Sequence, residues 1–411
     1  MIETAAAAVH EDGDGDGDRR QRGEIHDFDT SELAGTFLLE CYTGAQIRLS
    51  EIAKLVLELR WAGASYEEIA AELERRELKR AQPAEIERYA KALNGKLDRL
   101  EAAHGGPTDP LFGFKTTLFS EAAAARIARW FTWMYAPPVA ALALGLIAFA
   151  FAAWQRLPPA IGHPRLAPDN FAFGYLLYFV SLFPHEFGHS AACLRYGGKP
   201  GRIGFTVYMV LPALFSDVGS AWKMKRWQRV IVDAGGSYFH AVVGAAYVLL
   251  GAATGWAPLF LAAALILVTL IFNLNPIFKF DGYWLVADAL GVANLSAQPR
   301  RIVRAALARL RGEPHRPLPW PALTVAALSA YSALTVVVWA YFLIRIGLGV
   351  EKQLGVVAAF SALVAHHGRI DGLADGGKLF GAVAGLGMAI YFVVRLARRA
   401  SRAIRAIKAP D

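Results

Sequence analysis

The sequence predicts a mainly α-helical, polytopic membrane protein of about six transmembrane helices. A small α+β, winged-helix-like soluble domain precedes them. Three observations carry this. Of 411 residues, 55% are hydrophobic, above the share in an ordinary soluble domain. Long apolar runs recur at roughly 137–154, 171–194, 238–254, 258–276, 320–347 and 379–396, each close to the length a bilayer requires. The first hundred residues contain no such run and instead alternate strand-like and helix-like patterns.

Taken in order, residues 1–24 carry the acidic repeat Glu11 to Asp18 and then Arg19, Arg20 and Arg22, a low-complexity composition that predicts a disordered tail. Residues 25–104 read as a domain. Thr36 to Tyr42 has strand composition, Thr43-Gly44 suits a turn, and Gln46 to Leu49 alternates as a second strand. Ser50 is placed to cap a helix carrying Ile52, Leu55, Val56 and Leu59. Ser65-Tyr66-Glu67-Glu68 forms a capping signal for a second helix with Ile69 and Leu73. Pro83 opens a third, with Ile86, Tyr89, Leu93, Leu97 and Leu100. A hairpin followed by three helices is winged-helix-like. The third helix mixes Glu85 and Glu87 with Arg88 and Lys91, and this mixed face argues against a nucleic-acid partner.

Gly105 to Pro110 is a linker. Residues 105–136 then read as linker and interfacial helix, because Trp130, Trp133 and Tyr135 beside Arg126 and Arg129 suit the headgroup level. The membrane part occupies 137–411. Residues 354–365 are apolar but short, which suggests a re-entrant element. Residues 203–222 are apolar yet hold Pro212 and Asp217, which suggests a membrane-dipping strand or hairpin. The formal charge of +8 gathers at Lys223–Arg229, at Arg300–Arg311 and at Arg395–Lys408. Six spans with a cytoplasmic N-terminus put all three clusters, and the C-terminus, on the cytoplasmic side of the cell membrane. The lipid bilayer is the partner this charge implies. Two cysteines, Cys41 and Cys193, are too few and too far apart for a disulfide framework; Cys193, four residues after His189, could approach a metal there, but packing is its expected role.

The chemistry lies at His185-Glu186-Phe187-Gly188-His189, inside the second apolar run. Histidines four apart share a helix face, so both imidazoles reach one metal ion, and the adjoining Glu186 can act as general base. Ten histidines and 35 acidic residues in 411 make a chance His-acid-x-x-His worth roughly 0.02 per chain. A second signal, Asn275-Pro276-Ile-Phe-Lys-Phe-Asp281-Gly282, follows the fourth run. There Asp281 is a candidate third ligand, with Gly282 permitting a sharp turn. Two histidines and a carboxylate, with the fourth position left to water, form a catalytic zinc set.

These two motifs together resemble the site-2 protease family of intramembrane zinc metallopeptidases, over roughly Pro110 to the C-terminus. The resemblance implies Zn2+ held by His185, His189 and Asp281, Glu186 as general base and water at the zinc as nucleophile. It also implies that Asn275 lines the substrate channel or polarises the scissile carbonyl. Where many members carry Gly-x-x-Asn, this chain has Gly235-Gly236-Ser237-Tyr238-Phe239-His240. His240 is then either a substrate-binding donor or a buried, hydrogen-bonded histidine.

Phe37 to Leu100 is similar to PqqD-like domains, which recognise leader segments of ribosomally made peptides by strand addition. The resemblance implies a metalloprotease that processes such a peptide. Two alternatives stand beside it. One is regulated intramembrane proteolysis of a membrane-tethered regulator. The other is a non-catalytic, metal-binding subunit of a peptide exporter.

Overall fold

The computed structural model describes residues 21–31, 35–43, 45–103, 112–158, 168–208, 211–292, 294–312 and 318–367. The acidic repeat, the linker, the apolar run at 379–396 and the basic cluster after it lie outside them. The chain forms two compact units, Met1–Thr108 and Asp109–Asp411.

The first unit holds a three-stranded antiparallel sheet, β1 (Gly23–Asp27), β2 (Thr36–Cys41) and β3 (Gln46–Ser50), in that order. The expected hairpin is β2–β3. Strand β1 is an addition to it, and residues 23 and 24 belong to this strand rather than to the tail. Its sequence Gly-Glu-Ile-His-Asp has one apolar residue, so it carries almost no strand pattern. Pairing with β2, Ile25 opposite Leu39, sets its place. Three helices follow: α1 (Glu51–Trp61), α2 (Tyr66–Arg75) and α3 (Pro83–Ala103). Ser50 caps α1 by accepting from the Ala53 N–H. Ser65 and Glu68 close a full capping box on α2, satisfying two backbone donors that the helix itself leaves open. The buried faces meet in two clusters, one around Leu39, Leu49, Leu57 and Leu97, the other around Leu55, Ile69, Leu73 and Ile86.

The second unit begins with β4 (Phe112–Phe119) and α4 (Glu121–Arg129), then a 3-10 turn, Thr132–Tyr135. The first stretch of the expected interfacial helix is therefore a strand. Its run Lys-Thr-Thr-Leu-Phe is rich in β-branched and aromatic residues, and β5 supplies its partner. Trp130 and Trp133 are exposed, whereas Tyr135, expected with them at the headgroup level, is buried and donates its hydroxyl to the Gly188 carbonyl at 2.8 Å. Helices α5 (Pro137–Trp154) and α6 (Pro168–Arg195) follow, then the hairpin β5 (Ile203–Tyr208) and β6 (Leu211–Ser216) expected at 203–222. The sheet order is β4-β5-β6, which leaves β6 as an edge strand that tolerates Pro212. The remaining α-helices among the described residues are α7 (Arg226–Thr254), α8 (Ala257–Asn273), α9 (Asp281–Leu290), α10 (Gln298–Leu310) and α11 (Ala322–His367).

Among the described residues, three helical stretches are long and apolar enough to cross a membrane: Pro137–Trp154, Arg226–Thr254 and Ala322–Tyr341. Helix α8 is apolar but only 17 residues long, and α6, expected as a span at 171–194, is long enough but falls outside the three because His185, Glu186 and His189 lower its hydropathy. Helix α7 starts twelve residues before the apolar run at 238, because Arg229 and Asp233 are accommodated inside the protein. The short element expected at 354–365 is not separate. It continues α11, whose 46 residues span about 69 Å at 1.5 Å per residue, more than twice a hydrocarbon core.

Helices α6, α7 and α8 pack on one another, and α9 packs on α7. The α6–α7 contact is made backbone to backbone. A Cβ at Gly188 would stand 2.3 Å from the Gly235 carbonyl oxygen. That approach is open only to glycine, and it brings the histidine face of α6 onto α7.

Candidate metal centre

Helix α6 carries both histidines across one turn, and both are buried. The Nδ1 of His189 lies 2.8 Å from the carbonyl oxygen of Val232 on α7. A carbonyl only accepts, so Nδ1 is the donor and the Nε2 lone pair of a neutral ring points the other way. It points at His185 Nε2, 3.4 Å away, and at Asp281 Oδ2, 3.3 Å away. His185 Nε2 is 3.1 Å from the same Oδ2.

Three electron-rich atoms thus converge at nearly equal spacing. Ligands about 2.05 Å from a common ion at the tetrahedral angle sit about 3.3 Å apart, so one ion fits all three edges at once. The group His185, His189 and Asp281 can hold a metal ion. Asp281 occupies the first turn of α9. Gly282 beside it is required for close approach rather than for a left-handed turn, since its Cβ would fall 2.3 Å from the Leu274 carbonyl.

Further features complete the pocket. Gly236 on α7 faces the two ligand nitrogens directly: a Cβ there would lie 2.2 Å from His189 Nε2 and 2.6 Å from His185 Nε2. Asn273, at the end of α8, donates to Asp281 Oδ2 at 3.2 Å and lies 3.5 Å from His185 Nε2. Glu186 is buried beside the group, with Ser216, the last residue of β6, in hydrogen-bonding reach of its carboxylate.

Of the other sequence-expected residues, Asn275 turns back on its own chain, its Oδ1 accepting from the Ile277 N–H at 2.9 Å. The asparagine at the ligands is Asn273 instead. No sequence signal separates the two, since both precede Pro276 in one turn. His240 is fully buried, its ring centroid 5.3 Å from that of His185. Ser181 uses its proton on the Tyr178 carbonyl, at 2.6 Å, so it accepts from His240 Nε2 at 2.9 Å. That geometry is the buried, hydrogen-bonded alternative for His240. Cys193 is buried against Ser220, on the Ala-rich face that packs the core.

Beneath the site lies a charged network that the sequence reading missed. Arg229, 2% exposed, donates from Nε to Asp288 Oδ1 at 2.8 Å and from Nη1 to the Met224 carbonyl at 2.9 Å. Asp288 follows Asp281 by two turns on α9, and Arg229 precedes Val232 and Gly236 on α7. The pair therefore ties the helix of the third ligand to the helix that orients His189. Compared with family models, curated proteins and solved structures, this chain finds no match.

Proposed function

We propose that this protein is a membrane-embedded zinc metalloprotease. The observation that carries the reading is the triangle of His185 Nε2, His189 Nε2 and Asp281 Oδ2, with edges of 3.1–3.4 Å, beside a buried Glu186. The His-His-carboxylate donor set favours zinc among the common metals. When bound, the metal supplies Lewis acidity to water and to a scissile carbonyl.

The chain's own residues do the rest. Val232 and Asn273 hold His189 and Asp281 in their ligating orientations. Glu186 takes the proton of the attacking water and returns it to the leaving amine. A peptide must be extended to be cut, because a helix engages its carbonyls in its own hydrogen bonds. The edge strand β6 ends at Ser216, beside Glu186, and offers backbone groups to such a chain. The apolar stretches of α5, α7 and α11, with the shorter apolar α8, support a multi-pass arrangement in the cell membrane. The three basic clusters support cytoplasmic termini.

The first unit supports recruitment of a ribosomally made peptide through its leader, by addition to its three-stranded sheet. Cleavage of a membrane-tethered regulator is the second reading, favoured by the packing of the ligand helix α6 on α7, which is long and apolar enough for a bilayer. Glu186→Gln tests the enzyme. It keeps the volume and the metal, and cleavage of a candidate peptide falls to background. Retained cleavage removes Glu186 from the role of base, and a fully active metal-free protein removes the metalloprotease reading. Deleting residues 1–104 tests the substrate class: a leader-dependent enzyme loses its soluble peptide and retains the cutting of a membrane helix.

A further inference from the structure

Helix α10 does not take part in the metal centre, yet its composition is unusual. From Gln298 to Arg311 it holds five arginines and no acidic residue. At 100° per residue these positions divide into three sectors. Gln298, Ile302 and Ala305 face inward; Gln298 is buried and Ile302 packs on the core around Tyr283, Trp320 and Leu328. Val303, Leu307 and Leu310 form an outward apolar stripe, 47%, 44% and 84% exposed. Arg300, Arg304 and Arg311 form the adjoining flank, also exposed.

An apolar stripe beside a cationic flank is costly in water and out of place in a protein core. It matches the boundary of a bilayer, where the stripe enters the acyl region and the arginines meet phosphate. The position in the fold agrees. Helix α10 packs on α11, whose Ala322–Tyr341 stretch is long and apolar enough to cross a membrane. The absence of any acid on α10 decides the sign of the headgroup. An ordinary amphipathic surface helix mixes both signs, whereas this one offers only positive charge.

We infer that α10 is an interfacial helix that binds anionic phospholipid, its Val303–Leu307–Leu310 stripe seated in the bilayer and its arginines on lipid phosphates. The inference rests on the membrane reading proposed above. It adds a lipid-binding surface joined through one 3-10 turn, Leu295–Ala297, to the helix that carries Asp281. Anionic lipid would then hold that ligand helix at a set depth.

The test uses the full chain in lipid nanodiscs, with an environment-sensitive thiol probe at Leu307→Cys. The native Cys41 and Cys193 are both buried, so labelling goes to the introduced thiol. Acrylamide serves as quencher because it is neutral and is not itself repelled by anionic lipid. Arg88→Cys, on the exposed face of α3, marks full aqueous access. Discs of phosphatidylcholine alone are compared with discs containing phosphatidylglycerol. The expected result is quenching several-fold weaker in the anionic discs than in the neutral ones. Arg300→Gln/Arg304→Gln, or high salt, should remove most of that difference. Quenching equal to that of the α3 probe in both discs overturns the inference. So does equal protection in both discs that the arginine substitutions leave unchanged, since anionic lipid then has no part. A chain that stays soluble and monodisperse without detergent, and enters no disc, overturns the membrane reading itself.

Discussion

Replacing Gly236 with alanine sets two physical effects against each other. Glycine inside a helix is about 0.8–1.0 kcal/mol less favourable than alanine, so Gly236→Ala should favour α7 as a helix. The new methyl, however, stands 2.2 Å from His189 Nε2 and 2.6 Å from His185 Nε2, where relaxed contacts are about 3.5–4.0 Å. Either α7 withdraws by about 1 Å or both imidazoles swing aside. Both movements open a triangle whose edges are 3.1–3.4 Å. Distortion of groups behind the ligands already costs 10–100-fold in metal affinity, so displacement of the ligands themselves should cost about 100-fold or more, near 2.8 kcal/mol. The assay is metal content after desalting, with affinity measured against a chromophoric chelator and the thermal transition recorded in parallel. Gly145→Ala on α5, whose Cβ would meet nothing within 4 Å, is the control and should leave metal binding unchanged. A Gly236→Ala protein that binds metal with wild-type stoichiometry and affinity would refute the proposed geometry.

Other outcomes follow from the same contacts. Arg229→Met removes the buried guanidinium from the half-buried Asp288 and leaves the Met224 carbonyl without that donor, and should cost about 1–3 kcal/mol of stability. Arg229→Lys keeps the charge but not the two-pronged geometry, and should fold with metal affinity lowered 10–100-fold; unchanged affinity and an unchanged Co2+ spectrum would show that the pair does not position Asp281. Ser65→Ala breaks the capping box on α2 and should destabilise the first unit by about 1 kcal/mol, read from chemical denaturation of the full chain. Burial, with Glu101 beside it, pushes the Cys41 thiol up to about 11. The folded unit therefore holds the proton where the unfolded chain has lost it, so stability falls as the pH rises from about 9 toward 11. Below that window Cys41 should resist thiol reagents until the unit unfolds, and rapid labelling of native protein at pH 8 would contradict this.

The sequence by itself determined what short-range spacing encodes. Histidines at i and i+4 share a helix face in any helix, so His185 and His189 were legible at once. Ser50, Ser65 and Pro83 opened their helices because capping is a contact across three residues. The hairpin at 203–222 was visible in its apolar run and its proline, and Asp281 in its place after an apolar segment. Only the tertiary structure decided the rest, for one physical reason: the decisive contacts join segments whose separation leaves no periodic trace. Strand β1 is a strand because β2 lies beside it, and β4 because β5, about ninety residues on, supplies its partner. Asn273 rather than Asn275 reaches the ligands because the turn before Pro276 points one side chain at Asp281 and the other at its own backbone. Gly236 looked like one half of a glycine pair, and its contact with both ligand nitrogens appears only when α7 lies against α6. Arg229 and Asp288 stand 59 residues apart, and only packing of α9 on α7 makes them one pair.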